Sequence, residues 1–322
     1  MSAVAIGLDV GGHGINGVVV DPAGAVLDRA YVPLHGVSER RIEAVEEHIA
    51  GLVGRLWGTA AGPLPVGAGI PGFHDQTTGL LRQSPNFPGW EDVPVAARLS
   101  KLLGRPVVTE NDANVALLGE VWVGAAAGLT DVAMLTLGTG VGSGFLVGGR
   151  LLTGARGAGA EGGHIPLHPG GRVCGCGRRG CLEAYVSGPG LTRTAREEFD
   201  RDPAGLRPER PEDVFDADQA SRPWAQRAIA RFVQDLAGGL VPLVHLFSPA
   251  AIVIGGGVAG AFSRFAGLVE EELVRRAIPA CLEGALPLRP AALGADAGAV
   301  GAAWLALSAD RRTAPPSRLA GV

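Results

Sequence analysis

Lysine is almost missing from this chain of 322 residues, and arginine carries nearly all of its positive charge. Lysine and arginine together number 28, against 32 aspartates and glutamates, for a net charge of −4. No Lys/Arg-rich arm or tail stands out, which argues against nucleic acid as the main partner. Long apolar runs are missing as well. Glycines break them, and none approaches the ~20 residues that a membrane span needs. The opening MSAVAIGLDV has no basic segment ahead of an apolar one, so no secretory leader is visible. The expectation is a cytoplasmic protein with no membrane partner. Cysteine is scarce, at four residues, and Cys174, Cys176 and Cys181 fall together while Cys281 stands alone. In a cytoplasmic protein such a cluster points to metal before disulfide. Cys281 is read as a core residue.

Glycine is what the chain has in excess, 51 residues, within a composition that is 47% hydrophobic. The length suffices for two domains of ordinary size. The first glycines lie in LDVGGHGINGVVVD, Leu8 to Asp21, where Gly12, Gly14 and Gly17 spell G-x-G-x-x-G. A dinucleotide fingerprint needs a helix after those glycines, because the helix N-terminus holds the pyrophosphate. Here Val18, Val19 and Val20 follow, and three β-branched residues make a strand. The glycines therefore join strand to strand. AMLTLGTGVGSGFLVGGRLLTG repeats the pattern: at an ungapped offset of 127, Leu8 meets Leu135, Gly11 meets Gly138, Gly17 meets Gly144 and Val20 meets Val147. Two related domains are expected, each opening on a hairpin with a glycine-rich turn. Apolar residues at helical spacing predict a helix over Arg41–Trp57. LPVGAGIPG and PVVTEND read as strands running into loops, ANVALLGEVWVG as a helix, Arg201–Arg222 as surface loops, and Ala225–Phe247 as a helix. AAIVIGGG is a strand ending in glycines, and Asp296–Leu307 a last helix before a frayed tail.

The densest chemistry is EGGHIPLHPGGRVCGCGRRGCLE, Glu161 to Glu183. His164, Cys174, Cys176 and Cys181 offer one imidazole and three thiolates, the composition of a closed structural zinc site. Three ordinary buried cysteines are the other reading. Asp112 follows the strand PVVTEN, where it is placed either as a general base or as the N-cap of the next helix.

These residues carry a resemblance to the ROK family (repressors, open reading frames, sugar kinases). The family pattern E-x-G-H, then C-x-C-G-x-x-G-C-x-E, is matched by Glu161, Gly163, His164, Cys174, Cys176, Gly177, Gly180, Cys181 and Glu183. TENDAN, Thr109 to Asn114, resembles the family's catalytic E-N-D-A-N. IPGF with SPNFPGW resembles its sugar loop, LGTGVGSG its second phosphate loop, and IVIGGG the glycines near its nucleotide. The resemblance implies two actin-like (ribonuclease H-like) α/β domains with an intervening cleft. The first would span 1–110 and take back a last helix at 297–312. The second, with the zinc loop, would span 111–296, leaving 313–322 as a tail.

It also implies a sugar kinase transferring the terminal phosphate of ATP to a hexose hydroxyl, foremost glucose at its 6-hydroxyl. An amino sugar, N-acetylmannosamine or a cyclitol is the alternative acceptor, and a catalytically weak sugar-binding relative is a further one. Asp112 would be the catalytic base. Gly72, Ser84, Asn86, Asn111, Asp112, Glu161, His164 and Glu183 would meet the sugar, with zinc-bound His164 keeping its second nitrogen for a hydroxyl. Asp9, Gly11, Gly12, His13, Thr139, Gly140, Gly256 and Gly257 would serve the nucleotide. Structural Zn²⁺ and Mg²⁺ with ATP are the implied cofactors, sugar and nucleotide the partners, and a homo-oligomer (dimer or tetramer) the implied assembly. The family's regulators carry a DNA-binding helix-turn-helix ahead of the kinase-like part; Asp9 comes too early here for one. One departure stands out. Most members open D-x-G-G-T-K, whereas His13 and Gly14 stand here at the Thr and Lys positions. His13 is left between a phosphate contact and a surface residue.

Overall fold

The computed structural model describes residues 4–36, 40–58, 64–216, 218–282 and 288–308. The chain divides into two compact units: 1–127 with 153–159 and 295–322, and 128–152 with 160–294. In chain order the first unit carries β1 (Ala5–Gly11), β2 (Gly14–Val20), β3 (Val26–Pro33), α1 (Ile42–Trp57), β4 (Val66–Gly69), β5 (His74–Asp75), β6 (Leu80–Gln83), β7 (Glu91–Val93), α2 (Val95–Leu103), β8 (Val107–Glu110) and α3 (Asp112–Val123). The second carries β9 (Val132–Leu137), β10 (Val141–Val147), β11 (Arg150–Leu151), α4 (Glu183–Val186), α5 (Gly188–Arg201), α6 (Glu212–Phe215), α7 (Pro223–Phe247), β12 (Ala251–Gly255), α8 (Phe262–Arg276) and β13 (Leu288–Pro290). The chain then returns to the first unit with α9 (Ala297–Ser308).

The two units repeat one topology. The first sheet runs β3-β2-β1-β4-β8 and the second β11-β10-β9-β12-β13. In each, an antiparallel hairpin pair is followed by parallel strands. The opening glycines therefore close a hairpin, with Gly11 paired to Gly14. The ungapped repeat holds for the first strand of each hairpin and slips by one residue at the turn. Leu137 pairs with Val141, which leaves a three-residue loop where the first hairpin has only Gly12 and His13.

Both sheets are covered by helices, so their central strands are apolar on both faces. Ile6, Leu8 and Val10 of β1 are fully buried, as is Ile15 of β2. They meet α1, whose Val45, Ile49, Leu52, Val53 and Leu56 form a helical-period stripe. Each such side chain contributes ~1.5–3 kcal/mol by leaving water. The opposite face takes α9, a run of small residues, AGAVGAAWLALS. It lies so close to β1 that a Cβ at Gly7 would collide with the Ala299 carbonyl. In the second unit α7 supplies Trp224, Phe232, Leu236 and Leu240 to a core shared with α8. There Phe232 and Phe265 meet edge to face at 5.3 Å.

Four features differ from the sequence reading. The unit boundary falls after Ala127 and not near residue 110, because α3, buried from Ala113 to Glu120, packs with α9. A small sheet, β5-β6-β7, uses the residues between the two motifs taken as a sugar loop and those just after the second. Val214 and Phe215 of α6 are buried inside a stretch taken as surface loop. Finally, α7 runs through 25 residues and is the one described helix long and apolar enough to cross a membrane. Its charged residues interrupt the apolar run in sequence, and its apolar stripe faces the core. The expected tail at 313–322 lies outside the described residues.

Candidate active site

In the first unit the candidate residues gather at the ends of β1, β4 and β8. Asp9 forms the last pair of the β1–β4 ladder, opposite Gly69, and Glu110 ends β8. The chain turns at once into α3, where Asn111 is the N-cap. Its Oδ1 accepts the N–H groups of Ala113 at 2.9 Å and Asn114 at 3.2 Å, and its Nδ2 donates to the Gly72 carbonyl at 3.2 Å. The capping role considered for Asp112 therefore belongs to Asn111. Asp112 is the first residue of the helix, and its Oδ1 accepts the Ala113 N–H at 3.0 Å.

Asp9 and Asp112 form an electrostatically unfavourable pair. Burial, with a smaller contribution from the charge of Asp112, pushes the Asp9 carboxyl up to about 7. Burial raises Asp112 as well, opposed by the Ala113 N–H. Both keep a partly exposed edge. A carboxylate raised by burial binds a proton more readily than an ordinary aspartate, which suits it to accept one from a hydroxyl.

Other candidates in this unit divide into exposed and committed groups. Asn86 is exposed and adjoins the first hairpin: a Cβ on Gly12 would lie 3.7 Å from the Asn86 Cβ. Its loop is anchored by Phe87 and Trp90, whose rings stack at 4.7 Å, and by Trp90 Nε1 donating to the Arg40 carbonyl. Ser84 is buried, and its hydroxyl donates to the Pro71 carbonyl at 2.6 Å. Gly72 adjoins the Gln83 carbonyl. Both residues therefore shape the loop by their own bonds. Gly11 ends β1, and His13 is exposed at the hairpin tip.

In the second unit the His164, Cys174, Cys176 and Cys181 donor atoms all lie within 4.8 Å of one another. Cys176 Sγ is 3.7 Å from Cys181 Sγ, and Cys174 Sγ is 3.6 Å from His164 Nδ1. A tetrahedral ion with Zn–S bonds of about 2.3 Å requires ligand separations of about 3.8 Å. The donor set and its spacing fit zinc. Burial pushes the Cys174 thiol up, and the neighbouring Glu183 carboxylate adds to the shift. Such a thiol loses its proton when a cation binds it.

Glu183 is the hub of this unit's constellation. Oε1 accepts from Cys174 Sγ at 3.0 Å, and Oε2 accepts the Val141 N–H at 3.0 Å. One carboxylate thus joins the cysteine loop to the second hairpin. His164 turns Nδ1 to the thiols, and its Nε2 lies 3.8 Å from Glu161 Oε2. Thr139 is exposed on the hairpin loop, between Gly138, whose carbonyl accepts the Gly188 N–H at 2.8 Å, and Gly140, which lies against Glu183. Thr139 and Gly257 line a cavity of about 1000 Å³ whose wall includes Thr192, Arg196 and Glu212. Gly256 (φ 81°) sits against the Leu137 carbonyl and turns the chain from β12 into that wall.

The ROK family model matches residues 5–309. The chain belongs to the ROK family. Among its ROK relatives, a glucokinase of Thermotoga maritima is 37% identical over 306 residues, covering 92% of this chain and 95% of that protein. A ROK hexokinase from Thermus thermophilus superposes with a TM-score of 0.81 at 38% identity, covering 96% of this chain and 99% of that one. A ROK family glucokinase from Streptomyces griseus, solved with glucose and AMPPNP, gives 0.77 at 32% identity over 95% of this chain and all of that one. The paired hairpin sheets are accordingly the actin-like fold of ROK kinases.

Sequence reasoning missed the polar support beneath this ROK site. Glu110 is buried and accepts the Asn111 N–H at 2.9 Å, Asn114 Nδ2 at 3.2 Å and Gln76 Nε2 at 3.0 Å. His74, also buried, bonds the Ile70 carbonyl and reaches Thr109 Oγ1 at 3.4 Å. The four-residue spacing of Glu110 and Asn114, which puts two polar groups on one turn of a helix start, was the available signal.

Proposed function

We propose that this chain is an ATP-dependent glucokinase that transfers the terminal phosphate of ATP to the 6-hydroxyl of glucose. The observation that carries the reading is Asp112: a carboxyl raised by burial, at a helix start that another residue caps, in a chain similar to glucokinases over nearly its whole length. Asp112 accepts the proton of the attacking hydroxyl. Asn86, Glu161, His164 and Glu183 orient the sugar through its other hydroxyls. Asn111 holds the start of α3 and has one Nδ2 hydrogen left for the substrate. Thr139 and the hairpin amides bind phosphate, and the cavity beside Gly257 takes the rest of the nucleotide. Magnesium would enter with ATP and neutralise phosphate charge, and Asp9 is the carboxylate of the first hairpin that would help to hold it.

A zinc ion on His164, Cys174, Cys176 and Cys181 would neutralise the thiolates and fix the loop between Glu161 and Glu183. The loop then holds both glutamates in place before substrate arrives, which lowers the ordering cost of binding.

Initial rates on glucose, mannose, N-acetylmannosamine and 2-aminoglucose, each with ATP, GTP and polyphosphate, test the reading. Glucose with ATP should give the highest kcat/KM. A higher value on N-acetylmannosamine would replace glucose as the acceptor. No phosphate transfer to any sugar would reduce the protein to a sugar-binding relative.

A further inference from the structure

The departure at positions 13 and 14 has a structural counterpart on the neighbouring strand. Gly14 is buried, although it begins a strand at a hairpin tip. What covers it is the side chain of Tyr31 from β3. A Cβ built on Gly14 would fall within the phenol, against its Oη, Cζ and Cε2 atoms. The Tyr31 hydroxyl donates to the His13 carbonyl at 3.2 Å, so the ring is aimed at the turn. Even so, Tyr31 is 55% exposed. An exposed tyrosine that reaches across a strand to a glycine, and ends at a turn carbonyl, presents its hydroxyl where residue 14 would otherwise present a side chain.

The register fixes what lies beside it. Asp9 pairs with Asn16, and Asn16 pairs with Tyr31, so the three stand in one row across β1, β2 and β3 and share a face. Asn16 Nδ2 donates to the Ala295 carbonyl at 3.0 Å, and the Arg29 guanidinium is held by Asp296 at 2.8 Å. The nearby amide and cation are thereby tied to the segment before α9, and the phenol is the polar group turned to the hairpin tip.

We propose that Tyr31 is a phosphate-donor-binding residue. Its hydroxyl turns from the His13 carbonyl to donate a hydrogen bond to the terminal phosphate of the nucleotide. It does so from the space that a residue-14 side chain would fill. The inference deepens the kinase reading and rests on it. It assigns the first hairpin a neutral donor in place of a cation.

Four proteins test it: the full-length wild type, Tyr31→Phe, Gly14→Ala and the double variant. Each is measured for its KM for Mg-ATP, its KM for glucose and its AMPPNP affinity by calorimetry. Tyr31→Phe should raise the KM for ATP and weaken AMPPNP roughly tenfold or more, the size of a hydrogen bond to a charged group. The KM for glucose should stay within about twofold, which a general loosening of the unit would not allow. Gly14 has no positive φ, so alanine fits its backbone, and its methyl group displaces the phenol. Gly14→Ala should therefore reproduce the Tyr31→Phe effect, and the double variant should be no worse than either single one. Wild-type nucleotide constants in Tyr31→Phe, or effects that multiply in the double variant, would overturn the inference and leave the kinase reading standing. A wild type with neither ATP turnover nor AMPPNP binding would sink the kinase reading, and this inference with it.

Discussion

Replacing Asp9 by asparagine should stabilise the first unit at alkaline pH while abolishing its use of nucleotide. The Asp9 carboxyl titrates at about 7 in the folded protein, first because it is desolvated and second because Asp112 is close. In the unfolded chain it titrates near the ordinary aspartate value, ~3.9. A group whose folded value is raised favours the fold below the unfolded value, and that contribution is lost as pH rises through the folded one. Between about pH 4 and pH 7 the wild type should therefore lose stability that Asp9→Asn keeps. Three pH units of displacement correspond to a ceiling of about 4 kcal/mol at pH 8. The partly exposed edge of the carboxylate brings the measured figure below that ceiling. Native-state hydrogen exchange at the amides of β1 and α9 reads this unit directly. It should be followed without nucleotide or divalent cation, from pH 5 to pH 8. Protection in Asp9→Asn should exceed wild type at pH 8, and the excess should shrink towards pH 5. An equal difference at both ends, or none at pH 8, would refute the burial argument.

Three further outcomes follow from the same geometry. The protein purified with zinc should retain one ion per chain by atomic emission, and Cys174→Ser should retain none; a metal-free wild type would remove the metal centre. Glu183→Ala leaves the Val141 N–H of the second hairpin without its acceptor, and should cost ~1–3 kcal/mol in denaturant unfolding of the zinc-bound protein. Asn111→Ala leaves two helix-start N–H groups without their cap and should cost ~1–2 kcal/mol in denaturant unfolding.

The strand-to-strand role of the opening glycines was legible because Val18, Val19 and Val20 are poor helix starters and good strand residues. The paired sheets were legible because the same glycine-and-valine pattern returns at one offset. The one-residue slip between the hairpins was not, since an extra loop residue changes pairing without disturbing either strand's pattern. The small β5-β6-β7 sheet escaped notice because strands of two to four residues carry no periodicity. Helix α3 was placed correctly, but its packing partner was not: a helix buried from Ala113 to Glu120 has no polar face to show which unit it joins. The cysteine cluster was evident from residue type alone. The double use of Glu183 was invisible, because it depends on a contact with Val141, far away in the chain. Tyr31 belongs to no motif. Its bearing on Gly14 needs the β2–β3 register, which sequence does not print.

The central claim is that Asp112 draws the proton from a glucose hydroxyl as ATP transfers its phosphate. Glucose 6-phosphate formation from glucose and Mg-ATP, followed side by side in wild type and Asp112→Asn, tests it. The wild type should turn over, and Asp112→Asn should lose ~10³-fold or more in kcat while still binding glucose by calorimetry. No product from the wild type, or near-normal turnover in Asp112→Asn, would contradict the assignment.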